Sequence, residues 1–215
     1  MTKTRNGRAA NSKRKANPMT IRVPRIRMKE RNNRFDGQFG NFRSVHTPLT
    51  ATANVAAQLF FVDCDSTGAM GSVGSSIATL YNEFVYESLT MRWLPLVAPG
   101  VADGGSQIYI AYIDNPEKMS VLLTLTDTQA LAAVKAIKNA KFFNAWEQAT
   151  YSVPLTRRRP KFDVNITNGH TDDENDRSCQ GMVIVAAESL TATPILGHLV
   201  SDSCVKFTGL SVIAS

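Results

Sequence analysis

Apolar positions along this chain mostly recur at every second residue. In Ser88-Leu89-Thr90-Met91-Arg92-Trp93 the alternation puts Leu89, Met91 and Trp93 on one face, as a half-buried strand requires. Lys161 to Thr167 repeats the pattern, with Phe162, Val164 and Ile166 inward and Asp163, Asn165 and Thr167 outward. Ile108 to Ile113 is apolar on both faces, which predicts a central strand covered on two sides. Val205 and Phe207 share one phase while Leu210 and Val212 share the other, and Gly209 between them predicts a bulge. Pro99-Gly100, Gly104-Gly105, Asn115-Pro116 and Asn168-Gly169 supply turn chemistry between these runs. Two segments break the period of two. Thr126-x-x-Gln129 forms a capping box ahead of the helix formers Ala130 to Ala140, and a weaker helix is predicted from Ser75 to Asn82. About eight strands with one or two short helices in their connections predict an all-β fold, an antiparallel β-sandwich of the jelly-roll type, over residues 45–215.

Residues 1–44 have a different pattern. Asn, Gly, Ser, Pro and basic residues dominate, and too few apolar groups are present to offset the entropy of ordering the backbone, so a largely disordered arm is expected. Within it, Ile21 to Met28 alternates apolar with basic residues. Pro24 shifts the phase there and prevents a helix, so the segment reads as extended.

Charge sharpens this division. Residues 1–35 carry twelve Lys or Arg against the single Glu30, a net +11, while the rest of the chain carries twelve against seventeen acids, a net −5. A basic arm on a mildly acidic body calls for a polyanion at the arm and a different task for the body. Lys3, Arg5, Arg8, Lys13, Arg14, Lys15, Arg22, Arg25, Arg27, Lys29, Arg31 and Arg34 are the candidate RNA-binding residues, neutralising phosphates without reading bases. A solvated tail, or Lys13-Arg14-Lys15 as a nuclear address, is the plainer alternative. The prolines disfavour an amphipathic membrane helix, so no membrane partner is expected. The longest clean apolar run, Met182 to Ala187, is too short to span a bilayer. Cys64, Cys179 and Cys204 are odd in number and widely spaced, which disfavours a disulfide framework and fits a reducing compartment.

Catalytic signatures are missing. His46, His170 and His198 lack metal-ligand spacing, no Gly-x-Ser-x-Gly elbow occurs, and the Gly/Ser-rich stretch Gly68 to Ser76 lacks the P-loop lysine, so no catalytic residue is assigned. Trp93 and Trp146 read as core or interface aromatics. The acidic run His170 to Asp176 lacks the Gly and Glu positions of an EF-hand and reads as a solvated loop tip. Arg157-Arg158-Arg159-Pro160-Lys161 is a second basic cluster, which suits an RNA-facing surface, a subunit contact or a solvated loop. Asp114 and Glu117 flank Asn115-Pro116 at the end of a strand. Two carboxylates at this spacing can share a hard cation such as Ca²⁺, but they need further oxygens from a neighbouring subunit. An ordinary polar turn is the alternative.

The order of these features resembles the shell domain of small icosahedral positive-strand RNA virus coat proteins, of the sobemovirus and tombusvirus type. The likeness is carried by Tyr81 to Glu87, the Trp93-Leu94-Pro95 turn, Gly104-Gly105, the strand end Asp114-Asn115-Pro116-Glu117, with Glu117 where Asp is usual, and the closing "TPILGHLVSDSCVKF". The resemblance implies a virion protein, assembled in the host cytoplasm into a homo-oligomeric shell around single-stranded viral RNA, with a Ca²⁺ site between subunits at Asp114 and Glu117. A cellular ribonucleoprotein component with a basic extension is the competing function, although the body lacks the aromatics and clamps of common RNA modules. A β-sandwich enzyme is a third class, left without a catalytic constellation.

Overall fold

The computed structural model describes residues 37–51, 54–164, 171–189 and 195–210. Residues 35–215 form one compact unit. The described strands are β1 (Gln38–Val45), β2 (Leu49–Thr50), β3 (Val55–Phe61), β4 (Tyr81–Pro95), β5 (Gln107–Ile113), β6 (Lys141–Asn144), β7 (Ala149–Ser152), β8 (Phe162–Asp163), β9 (Met182–Glu188) and β10 (Ile195–Leu210). The described helices are α1 (Gly71–Ala78), α2 (Pro116–Leu123), α3 (Asp127–Ala136) and α4 (Asp172–Ser178). One sheet runs β1-β10-β4-β7, with β2 on β10 and β8 on β4, and the other runs β3-β9-β5-β6. The pairings are antiparallel, and the chain crosses repeatedly from one sheet to the other. This is the jelly-roll sandwich that the alternation predicts.

The inward phases close the core. Leu89, Met91 and Trp93 of β4 meet Leu199, Val205 and Phe207 of β10 and Ile108 and Ile110 of β5, all buried. Each such side chain contributes about 1.5–3 kcal/mol by leaving water. The Trp93 indole donates to the carbonyl of Ala145 at 2.8 Å, so its polar edge is satisfied inside the core. The doubly apolar strand is also where it was expected. Ile108, Ile110 and Tyr112 of β5 face the sandwich, while Ala111 and Ile113 face a second cluster formed with Met119, Leu122, Leu131 and Val134 of α2 and α3. Met182 to Ala187 is apolar throughout for the same reason, because β9 is the inner neighbour of β5 and is covered on both faces.

Several boundaries differ from expectation. Residues 38–44, read as part of the arm, are strand β1, paired with β10 from Gln38↔Phe207 to Val45↔Val200. The inward positions Gly40 and Ser44 are small and polar, so the strand period was hidden there. The first helix is Gly71–Ala78 instead of Ser75 to Asn82, and α3 stops at Ala136 instead of Ala140. Its capping box is as read, with Thr126 and Gln129 bonding reciprocally. Asn115-Pro116 opens α2 as N-cap and first helical residue, the Asn115 side chain accepting from the Lys118 amide at 3.0 Å. The acidic run is no loop tip from Thr171 onward. Thr171 and Glu174 form a second capping box, and three acids in the first turn suit the positive end of α4. In the β4–β10 pairing the register shift falls between Cys204 and Val205, away from Gly209, whose φ of +68° still calls for glycine. Asn165, Ile166, Thr167, the Asn168-Gly169 turn and Val212 lie outside the described residues.

Candidate functional site

Asp114 follows β5 directly and Glu117 occupies the first turn of α2, so the strand end and the helix start bring both carboxylates to one groove. The groove has a volume of about 630 Å³. It is lined on its polar side by Asp114, Asn115, Glu117 and Lys118 and on its apolar side by α2 and α3. Asp114 Oδ2 accepts from the Thr156 hydroxyl at 2.7 Å, which fixes one of its oxygens. Glu117 sits where the helix N-terminus favours negative charge, so its position has a structural reason independent of any ion. Among the described residues no three His, Cys, Asp or Glu side chains gather as a metal-binding group. One chain alone therefore offers two carboxylates of the six or more oxygens Ca²⁺ takes.

The basic cluster between β7 and β8 is bound within its own subunit. Arg158, with only 18% of its side chain exposed, donates to Asp176 at 2.8 Å and to the carbonyls of Cys179 and Asn175 at 2.6 and 3.3 Å. Arg159 also holds Asp176, Arg157 pairs with Glu87, and Lys161 reaches Glu83 at 2.6 Å. Lys161 and Thr208 together hold the Glu83 carboxyl below its usual range. The cluster straps α4 and β8 to β4. No sequence signal gives these partners, because the acids lie 17 to 78 positions away.

Two further titratable positions emerge only in three dimensions. Asp63 is 3% exposed in the connection from β3 to α1, and burial raises its carboxyl to about 7. The Asp65 amide donates to Asp63 Oδ1 at 3.1 Å, and the Tyr86 hydroxyl donates to the Asp63 backbone carbonyl at 2.7 Å. His46, whose burial lowers its pKa, stands 2.8 Å from the Ser201 hydroxyl. Ser201 is fully buried and donates to the Ala69 carbonyl, so the pair is a structural bridge instead of a nucleophile and base. The three cysteines are free thiols, Cys64 and Cys179 buried and Cys204 half-buried. Trp93 is a core aromatic, while Trp146 is 40% exposed. His170 and the twelve basic positions from Lys3 to Arg34 lie outside the described residues.

No protein-family model and no curated protein sequence matches the chain. Solved structures do. The chain is similar to a subunit of a semi-empty virus-like particle of the giant freshwater prawn Macrobrachium rosenbergii nodavirus, at 14% identity and TM-score 0.66, over 96% of this chain and 97% of that one. It is similar to Cocksfoot mottle virus at 14% identity and TM-score 0.65, covering 82% of this chain and 97% of the other. Tobacco necrosis virus matches at 10% identity and TM-score 0.65, over 81% and 97% of the two chains. The fold is thus the jelly roll of small icosahedral virus shells, as the sequence resemblance implies.

Proposed function

We propose that this chain is a viral coat protein whose jelly roll assembles into a closed shell of many copies. Its basic arm, the stretch ahead of β1 that carries the twelve cations from Lys3 to Arg34, packages single-stranded RNA. The observation that carries the reading is the fold, which matches virus shell subunits along nearly their whole length. Charge supports the division of labour. Twelve cations in the arm neutralise roughly ten phosphates per copy by counterion release, and the net −5 of the remainder suits contact with further copies better than with RNA. The in-chain pairing of Arg157, Arg158, Arg159 and Lys161 supports the arm, instead of that cluster, as the RNA-binding element. The same reading makes the chain structural and non-enzymatic, and places it in the virion after assembly in the host cytoplasm.

Deletion of residues 1–34 tests the arm. The truncated chain keeps the body fold, which begins at Phe35, and forms particles without RNA or particles of smaller size. Normal RNA content after the deletion contradicts the assignment. Binding of the isolated arm to unrelated RNAs weakens steeply with salt and varies little with sequence. A flat salt response contradicts counterion release as the main contribution.

In the same reading Asp114 and Glu117 supply this chain's share of a Ca²⁺ site between subunits, the neighbour contributing the remaining oxygens. The cation would join the two surfaces by offsetting carboxylate repulsion across the contact.

A further inference from the structure

β1 is the outermost strand of its sheet, and among the described strands it pairs with β10 alone. Its inward positions are Gly40, Phe42 and Ser44, so it contributes little apolar surface to hold itself in place. His46 closes the strand, its amide donating to the Leu199 carbonyl at 2.9 Å. The imidazole touches both sheets. Its centroid is 4.5 Å from that of Phe60 on β3, and Nε2 stands 2.8 Å from the Ser201 hydroxyl on β10. Ser201 gives its single proton to the Ala69 carbonyl, 2.7 Å away and just ahead of α1. The hydroxyl oxygen can therefore only accept from the ring. Nε2 must carry the ring proton, and Nδ1 is the site a further proton would take.

We infer that His46 is an acid-operated latch: a proton on Nδ1 frees β1 from the sandwich while the rest of the body stays folded. Nothing around the ring compensates that proton. β10 presents Ser201 and the His198 ring, whose Nδ1 donates to the His46 backbone carbonyl at 3.2 Å. Asp202 lies on the opposite face of β10, held there by Arg43 and Arg92. β3 presents Phe60, with the neutral Gln58 two residues away bonded to the Pro48 carbonyl at 3.1 Å. The β3–α1 connection presents the Ala69 carbonyl, while its Asp63 is bonded to Asp65 and Tyr86. Burial is accordingly the one influence on the imidazole, and it disfavours the charged form. An imidazolium there is a half-buried charge without a counter-ion, and moving into water relieves it. The opening is bounded, because Leu49 is buried and β2 returns the chain to β10. On the other side, Arg34 of the basic arm precedes Gln38 of β1 by four positions. In the shell reading, on which this consequence alone rests, acid loosens the strand from which the RNA-binding arm extends.

Hydrogen exchange of the full-length protein, read by mass spectrometry and corrected for the intrinsic effect of pH, tests the latch. Between about pH 7 and about pH 5 the protection of residues 38–46 should fall about tenfold or more, with β5 and β9 unchanged. His46→Gln keeps a donor for Ser201 and cannot take a proton, so it should remove this pH dependence. His198→Asn should retain it. In wild-type protein alone, the midpoint of the β1 loss should coincide with His46 protonation, followed by magnetic resonance of the imidazole nitrogens. Equal protection of β1 at both pH values, a loss that persists in His46→Gln, a loss shared by β5 and β9, or midpoints that differ would each overturn the latch. These readouts lie within the subunit, so the shell reading stands or falls separately, on particle formation.

Discussion

Asp63 is the residue whose environment most directly couples this fold to pH. Its carboxyl lies in the β3–α1 connection, with Asp65 and Cys64 on its own segment, Tyr86 from β4 and Cys179 ahead of β9 as the titratable groups around it. Burial raises it to about 7 from an ordinary 3.8. Between these values the folded chain holds a proton that the unfolded chain has released. Stability therefore falls as pH rises from about 4 to about 7 and then levels off, a change on the order of 4 kcal/mol at most. Asp63→Asn keeps the shape and removes the charge. It should flatten the difference in urea stability between about pH 5 and pH 8, with the gain appearing at the higher pH. His46 acts with the opposite sign, since its lowered pKa costs stability as pH falls below about 6.5, so the comparison must be between variant and wild type. An unchanged pH slope in Asp63→Asn contradicts the assignment.

At the scale of elements, the strap between β7 and β8 makes a graded prediction. Arg158 is mostly buried and serves one carboxylate and two carbonyls, so Arg158→Ala leaves acceptors without a donor and should cost about 2–3 kcal/mol. Arg157 and Lys161 make exposed pairs, and their alanine variants should each cost about 0–1 kcal/mol. Equal losses in denaturant titrations would contradict this ordering. The elements also show how far the sequence could be read. Strands with one buried face, such as β4 around Leu89, Met91 and Trp93, are legible because their period is local. The capping box at Thr126 is legible for the same reason. The helix α2 was hidden because Asn and Pro serve turns and helix starts equally well, and only the amides that follow decide between them. The start of α4 was masked by its own acids, which resemble a solvated loop until Thr171 and Glu174 are seen to cap each other. The pairs of the strap and the burial of Asp63 depend on contacts between distant segments, so no local pattern carries them.

For the whole molecule, the proposed function joins an acidic self-associating body to a basic arm, and the proposed cation site bears on how copies hold together. A chelator should loosen particles near neutral pH, because the Asp114 and Glu117 carboxylates then face their neighbours uncompensated. Acid should partly restore the particles, since protonation removes the repulsion without metal. Asp114→Asn with Glu117→Gln should abolish the chelator response with the subunit fold intact. Swelling that is identical with and without chelator contradicts a cation at this contact. Whether the chain builds an RNA-filled shell is decided by electron microscopy of the purified full-length protein. Closed isometric particles with density for nucleic acid inside are the expected result. A field of small, separate molecules would contradict it.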